Sequence, residues 1–114
     1  MKKWFAEEFA FTITVTGFLQ SEQTENYCRN GEKIGDRYCC TYGCPVNTDG
    51  YGICSKVMLL LYPLMDAVRS GGDLRNLGGD GKYSKTVVCP DGCEIFRLTA
   101  EPLGNPNFYQ TIKS

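Results

Sequence analysis

The sequence predicts a small α+β fold in which one main, kinked helix packs across an antiparallel sheet of about four strands, in the order ββαββ. Three observations support this: alternating patterns typical of strands towards both ends of the chain, one helical pattern between them, and a turn motif joining the last two strands. With 114 residues, 42% of them hydrophobic, the chain fits one domain with its own core. We assign residues 1–114 to a single domain, with its core at about 9–98 and an irregular tail at 101–114.

The first two strands are predicted in the N-terminal part of the chain. Phe9–Phe18 alternates large apolar residues with threonine or alanine, and this period of two predicts a strand with one buried face. Arg37–Tyr42, which is rich in tyrosine and cysteine, is the second strand candidate. The polar segment Ser21–Gly31 between them predicts a loop that contains Cys28.

The helix is predicted over Ile53–Arg69, because apolar residues recur there at spacings of three and four. The residues of this apolar stripe are Ile53, Val57, Leu60, Leu61, Leu64 and Val68. Pro63 removes one backbone hydrogen bond, so we expect a kink or two abutting helices. Because Met58, Leu59 and Met65 make the segment apolar almost all round, we expect it to be sandwiched in the core or partly buried against another subunit, in a homo-oligomer.

The last two strands are predicted after a glycine-rich loop at Ser70–Ser84. Lys85–Val88 and Glu94–Leu98 flank the segment Cys89–Cys93, which reads Cys-Pro-Asp-Gly-Cys. Proline presets φ and glycine tolerates the left-handed conformation, so the Pro-Asp-Gly centre predicts a hairpin turn.

Composition argues against several classes of function. The chain has no histidine, so it cannot supply a Ser-His-Asp or Cys-His pair or a histidine ligand for zinc. The net charge is −1 without a basic cluster, which argues against a nucleic-acid partner. The longest apolar run, Val57–Met65, is shorter than the span of about 20 residues that a membrane requires, and Glu7 and Glu8 interrupt any N-terminal signal peptide. We therefore expect a cytoplasmic protein with no membrane partner.

Seven cysteines are the strongest chemical feature of the sequence. Their number is odd, and their density is below the level of about 8–10% that marks secreted disulfide scaffolds. In a reducing cytosol such cysteines bind metals, catalyse or lie buried. Thiolates without histidine favour zinc or an iron–sulfur cluster over magnesium or calcium. The sequence therefore predicts a metal site with cysteine ligands, although it identifies no reaction.

Four cysteines are the predicted ligands. Cys89 and Cys93 bracket the hairpin turn, which would bring both thiols to one end of the sheet. Cys54 opens the helix, where exposed N–H groups favour the thiolate form. Cys28 has cationic neighbours in its loop, and Cys44 is a reserve ligand.

Two other hypotheses remain open. Free cysteine is among the most buried residue types, so the chain can instead be a metal-free domain that oligomerises through its apolar helix. A thiol redox protein, with Cys54 as the nucleophile and a second cysteine resolving it, is the third hypothesis. Cys39 and Cys40 are neighbours on a strand and point to opposite faces, so one of them is expected in the core.

Several short motifs, in their order, resemble a family of small uncharacterised prokaryotic proteins. The motifs are Cys28, Ile34-Gly35-Asp36-Arg37-Tyr38, Gly52-Ile53-Cys54, Leu61-Tyr62-Pro63, Gly71-Gly72 and Cys89-Pro90-Asp91-Gly92. The resemblance extends over Phe9–Leu98 and implies that Cys28, Cys54 and Cys89 belong to the family pattern. It also implies that Cys39, Cys40, Cys44 and Cys93 are additions in this chain. Three such cysteines would suit an iron–sulfur cluster or a metal with one further ligand, and would equally suit a packed core.

Overall fold

The computed structural model describes residues 8–19, 32–90 and 94–103, and it confirms the α+β class. In chain order the elements are strand β1 (Phe9–Phe18), strand β2 (Arg37–Cys40), helix α1 (Ser55–Arg69), a 3-10 helix (Leu74–Leu77), strand β3 (Ser84–Val88) and strand β4 (Glu94–Pro102). The four strands form one antiparallel sheet in the order β2-β1-β4-β3. The predicted order ββαββ is therefore correct, with the 3-10 helix as an addition.

The two central strands, β1 and β4, form the apolar face of the sheet. Ile13 lies opposite Leu98 and Val15 lies opposite Phe96, and directly opposed residues share one face of a sheet. All four side chains are buried. The alternation in β1 thus follows the pleat as predicted, with apolar residues on the core face and threonines on the other.

Helix α1 covers this apolar face with one side only. Its buried residues are Val57, Leu61, Leu64, Met65 and Val68. Four of them belong to the predicted stripe, but Leu60 of that stripe is exposed, because it lies at the edge of the buried side. The expectation of a helix sandwiched within the core is wrong for this chain, since the opposite side of α1 faces solvent. Within the described ranges, no helix has the length and apolarity needed to cross a membrane.

Pro63 does not divide α1, which is one uninterrupted helix, so the alternative of two abutting helices is wrong. Proline leaves the carbonyl oxygen of Leu59 without its intrahelical donor. Both residues lie on the solvent side, where water can hydrogen-bond to that carbonyl. The packed side of the helix is left undisturbed.

The segment predicted as a glycine-rich loop contains the 3-10 helix Leu74–Leu77. The Asp73 carboxylate accepts a hydrogen bond from the backbone N–H of Arg75 at 2.9 Å, which caps the first turn. Leu74 is fully buried and anchors this turn to the core. Glycine is needed at Gly79, because a Cβ there would collide with the carbonyl oxygens of Leu74 and Ser84. Tertiary anchoring, rather than periodicity, produces this element.

Three strand boundaries differ from the predicted ones: β3 starts at Ser84 rather than at Lys85, and the ends of β2 and β4 are shifted. Strand β2 ends at Cys40 rather than at Tyr42, because Cys39 exchanges backbone hydrogen bonds with Val46, where the chain turns back alongside it. Strand β4 continues past Leu98 to Pro102, since β1 supplies pairing partners along that whole length.

We predict that Leu61→Ala lowers the free energy of unfolding by about 2–5 kcal/mol, because it leaves a cavity at a fully buried position. Leu59→Ala, two residues away on the solvent side, is the matched control and should change stability by less than about 0.5 kcal/mol in the monomer. Urea denaturation followed by circular dichroism measures both. Equal effects of the two substitutions would contradict the assigned helix orientation.

Candidate functional site

Five of the seven cysteines lie in the described part of the chain. Cys28 and Cys93 lie outside the described residues, so the convergence of the four predicted ligands stays a prediction. The five described cysteines form no disulfide with one another. Among the described residues, no group of three or more cysteine or acidic side chains is placed to hold a metal ion. A site with three or more protein ligands would therefore need donors from outside the described ranges.

Cys89 directly follows β3 and lies opposite Glu94. Its backbone N–H donates to the carbonyl oxygen of Glu94 at 2.8 Å, which continues the register of Val88 with Ile95. Opposed residues share a face, so both side chains lie on the core face of the sheet. Cys89 is 4% exposed and Glu94 is 2% exposed. A thiol and a carboxyl group therefore neighbour each other in the interior.

Cys54 is the N-cap residue of α1, and its side chain makes no capping hydrogen bond. It is partly buried and packs against the same hydrophobic core that includes Cys89. The first turn of α1 contains no acidic residue, so the exposed N–H groups there favour an anionic group. Cys54 at the start of α1 and Cys89 after β3, two of the four predicted ligands, thus both contact one hydrophobic core.

Cys39, Cys40 and Cys44 have different environments. Cys40 lies opposite Phe11 and packs against the core, whereas Cys39 lies opposite Thr12 and is exposed. This confirms the prediction that only one of the two neighbours belongs to the core. Cys44, the predicted reserve ligand, is exposed, and its thiol donates locally to the carbonyl oxygen of Pro45 at 3.6 Å.

A second polar group in the interior consists of Tyr38 and Glu32, which are both buried. Burial, followed by the hydrogen bond that the Tyr38 hydroxyl donates to the Glu32 carboxylate, raises the pKa of Tyr38 well above its ordinary value. The charges of Asp36 and Glu94 act in the same direction. Tyr38 therefore stays protonated in alkaline solution in which an exposed tyrosine would ionise, and it acts as a hydrogen-bond donor to Glu32.

The sequence patterns did not lead us to predict the burial of Glu32 and Glu94, although that of Glu94 was predictable. Glu94 has the same parity as Phe96 and Leu98 along β4, so the period of two places it on the core face. Glu32 has no such pattern around it, because it follows a polar segment without periodicity. Its burial depends on tertiary contacts such as the one with Tyr38.

The outer face of α1 is the solvent-exposed side of the helix, opposite the core. We define it by five exposed residues: Lys56, Leu59, Tyr62, Pro63 and Asp66. With 100° between successive residues, all five lie within about 60° of Leu59 around the helix axis. Leu59 is 69% exposed and Tyr62 is 42% exposed, and the exposed Leu60 borders this face. An apolar centre with one positive and one negative residue at its ends is a feature suited to protein contacts.

Comparisons with known proteins assign no family to the chain. No family model matches it, and searches of curated proteins and of solved structures yield no match either. The resemblance to a small prokaryotic family therefore stays a prediction, and the site must be judged on its geometry.

We predict that iodoacetamide modifies Cys39 and Cys44 at least about 100-fold faster than Cys89, because a buried thiol reacts only when the structure opens locally. Tandem mass spectrometry of peptides from a time course measures the rate at each cysteine. In denaturant, where burial is lost, the three rates should become similar. Equal rates for Cys39 and Cys89 under native conditions would contradict the burial of Cys89.

Proposed function

We propose that the protein is an interaction domain that self-associates through the outer face of α1. The observation that supports this most directly is Leu59, a leucine at the centre of that face with 69% of its surface exposed. Its large exposure means that the fold of the single chain gains little from it. Transfer of a leucine side chain out of water contributes about 1.5–3 kcal/mol, and this gain is realised only when another surface covers it.

A second copy of the chain is the partner that this face fits. Two helices pack with their axes about 8–10 Å apart, a distance at which Leu59, Pro63 and Tyr62 can interdigitate with the same residues of another α1. In a dimer with two-fold symmetry every favourable contact occurs twice. The small size of the face predicts a weak, concentration-dependent dimer rather than an obligate one.

We predict that Leu59→Gln weakens self-association at least about tenfold, because it removes apolar contact on both copies. Glutamine is a good helix former, so α1 should remain intact. Sedimentation equilibrium over a wide concentration range measures the dissociation constant. The matched control is Leu77→Gln, a similarly exposed leucine in the 3-10 helix, which should leave association unchanged.

Two outcomes would contradict this proposal. One is a wild-type chain that stays monomeric at concentrations of several hundred micromolar. The other is an equal loss of association in the Leu59 and Leu77 variants, which would indicate a general loss of apolar surface rather than a specific face.

A second candidate function is metal binding through thiolates, and the opposition of Cys89 and Glu94 favours it. A buried thiol beside a buried carboxyl group provides one soft and one hard donor, and zinc accepts both. Cys93 directly precedes Glu94 in the sequence, and Cys28 and Cys54 are the other predicted ligands. Because iron–sulfur clusters are held mainly by thiolates, a set that includes Glu94 would suit zinc better.

We predict that Cys89→Ser lowers bound zinc to less than about half of the wild-type content, because a neutral hydroxyl replaces a thiolate ligand. Elemental analysis of protein purified under reducing conditions measures the content, and circular dichroism checks that the variant is folded. Cys39→Ser is the control, because Cys39 lies on the other face of the sheet. A wild-type protein with less than one tenth of an equivalent of zinc or iron would contradict this second candidate.

A further inference from the structure

We propose that two copies pair their α1 helices antiparallel through the outer face, about a two-fold axis at the height of Leu61 along the helix, so that Lys56 of each copy contacts Asp66 of the partner subunit. This inference rests on the proposed self-association and specifies its geometry. The observation behind it is the symmetric placement of unlike residues along the outer face of α1.

Four of the five residues of this face, all but Tyr62, are arranged in pairs at equal distances before and after Leu61 in the sequence. Lys56 precedes Leu61 by five residues and Asp66 follows it by five, while Leu59 and Pro63 lie two residues before and after it. A two-fold axis perpendicular to both helices brings residues at equal distances on opposite sides of it to the same height. Lys56 and Asp66 each lie about 7.5 Å along the helix from that axis, at a rise of 1.5 Å per residue.

The antiparallel arrangement is complementary at each height. Leu59 of one copy faces Pro63 of the partner subunit, so that the centre of the contact is apolar. Lys56 faces Asp66 of the partner subunit at both ends, which gives two symmetric ion pairs. A parallel pair would instead place Lys56 against Lys56 and Asp66 against Asp66 of the partner subunit, and like charges at such positions oppose association.

Asp66 is able to accept a second cation. Its Oδ1 atom receives a hydrogen bond from Arg69 on the same helix at 3.3 Å, yet its side chain remains 59% exposed. A carboxylate has about four acceptor positions on two oxygens, so an ion pair with Arg69 leaves positions for Lys56 of the partner subunit. Lys56 is exposed on the same outer face, where its long side chain can reach across the contact.

The test is a charge exchange at these two positions, measured by sedimentation equilibrium in about 50 mM salt. Lys56→Asp and Asp66→Lys should each raise the dissociation constant at least about tenfold, because either change places like charges together twice. The double variant, and an equimolar mixture of the two single variants, should return to within about threefold of wild type. Salt of about 500 mM should shrink the differences, since it screens exposed charges beyond about 4 Å.

The outcomes separate the pairing geometry from self-association itself. If the single charge variants associate like wild type while Leu59→Gln does not, the antiparallel pairing is wrong and the proposed self-association stands. If the double variant and the mixture stay as weak as the single variants, the charges act within one chain, for example through Arg69, and the pairing is again wrong. A wild-type chain that stays monomeric would overturn both the antiparallel pairing and the proposed self-association.

Discussion

The pairing of β1 with β4 is the contact on which the rest of the structure depends. It joins segments from opposite ends of the described chain and aligns Ile13 with Leu98 and Val15 with Phe96. Closing so long a loop is entropically unfavourable, although the penalty grows only slowly with loop length. The burial of large apolar side chains on one face of the sheet offsets this entropic penalty, and α1 packs on that face and completes the burial. Without this pairing, neither β2 nor β3 would have a central strand to join.

The same register determines where the polar groups of the interior lie. Burial of Phe96 and Leu98 forces Glu94 onto the core face, because side chains alternate along a strand. A shift by one residue would expose Glu94, but it would also turn both apolar residues towards solvent. Cys89 is drawn into the same region by its backbone hydrogen bond to Glu94. The neighbouring thiol and carboxyl group are thus a consequence of the strand pairing, whichever chemistry they perform.

Periodicity explains how much of this fold was predictable from sequence. β1 and the buried stripe of α1 have clear periods of two and of three to four; β1 has the predicted bounds, and α1 starts at Ser55, two residues after the predicted start at Ile53. The 3-10 helix at Leu74 has no period, since it is held by a cap and one buried side chain. Helix α1 continues through Pro63 because Pro63 lies on the solvent side of the helix. The predicted stripe wrongly includes the exposed Leu60, so the sequence pattern alone does not define which side faces solvent. Placing Cys54 and Cys89 at one core requires the topology, which local patterns do not contain.

The sheet face opposite α1 and the outer face of α1 differ in polarity. The face of the sheet opposite α1 presents the partly exposed Thr12, Thr14 and Arg97, and the Arg97 guanidinium forms an ion pair with Asp80, so this face is largely polar. The outer face of α1 instead exposes Leu59 and Tyr62 at its centre. An isolated exposed leucine needs no explanation, but here apolar residues recur along one helix side between opposite charges. Since the described residues already close the core beneath α1, these side chains can contribute appreciable free energy only through contact with a surface beyond the described residues.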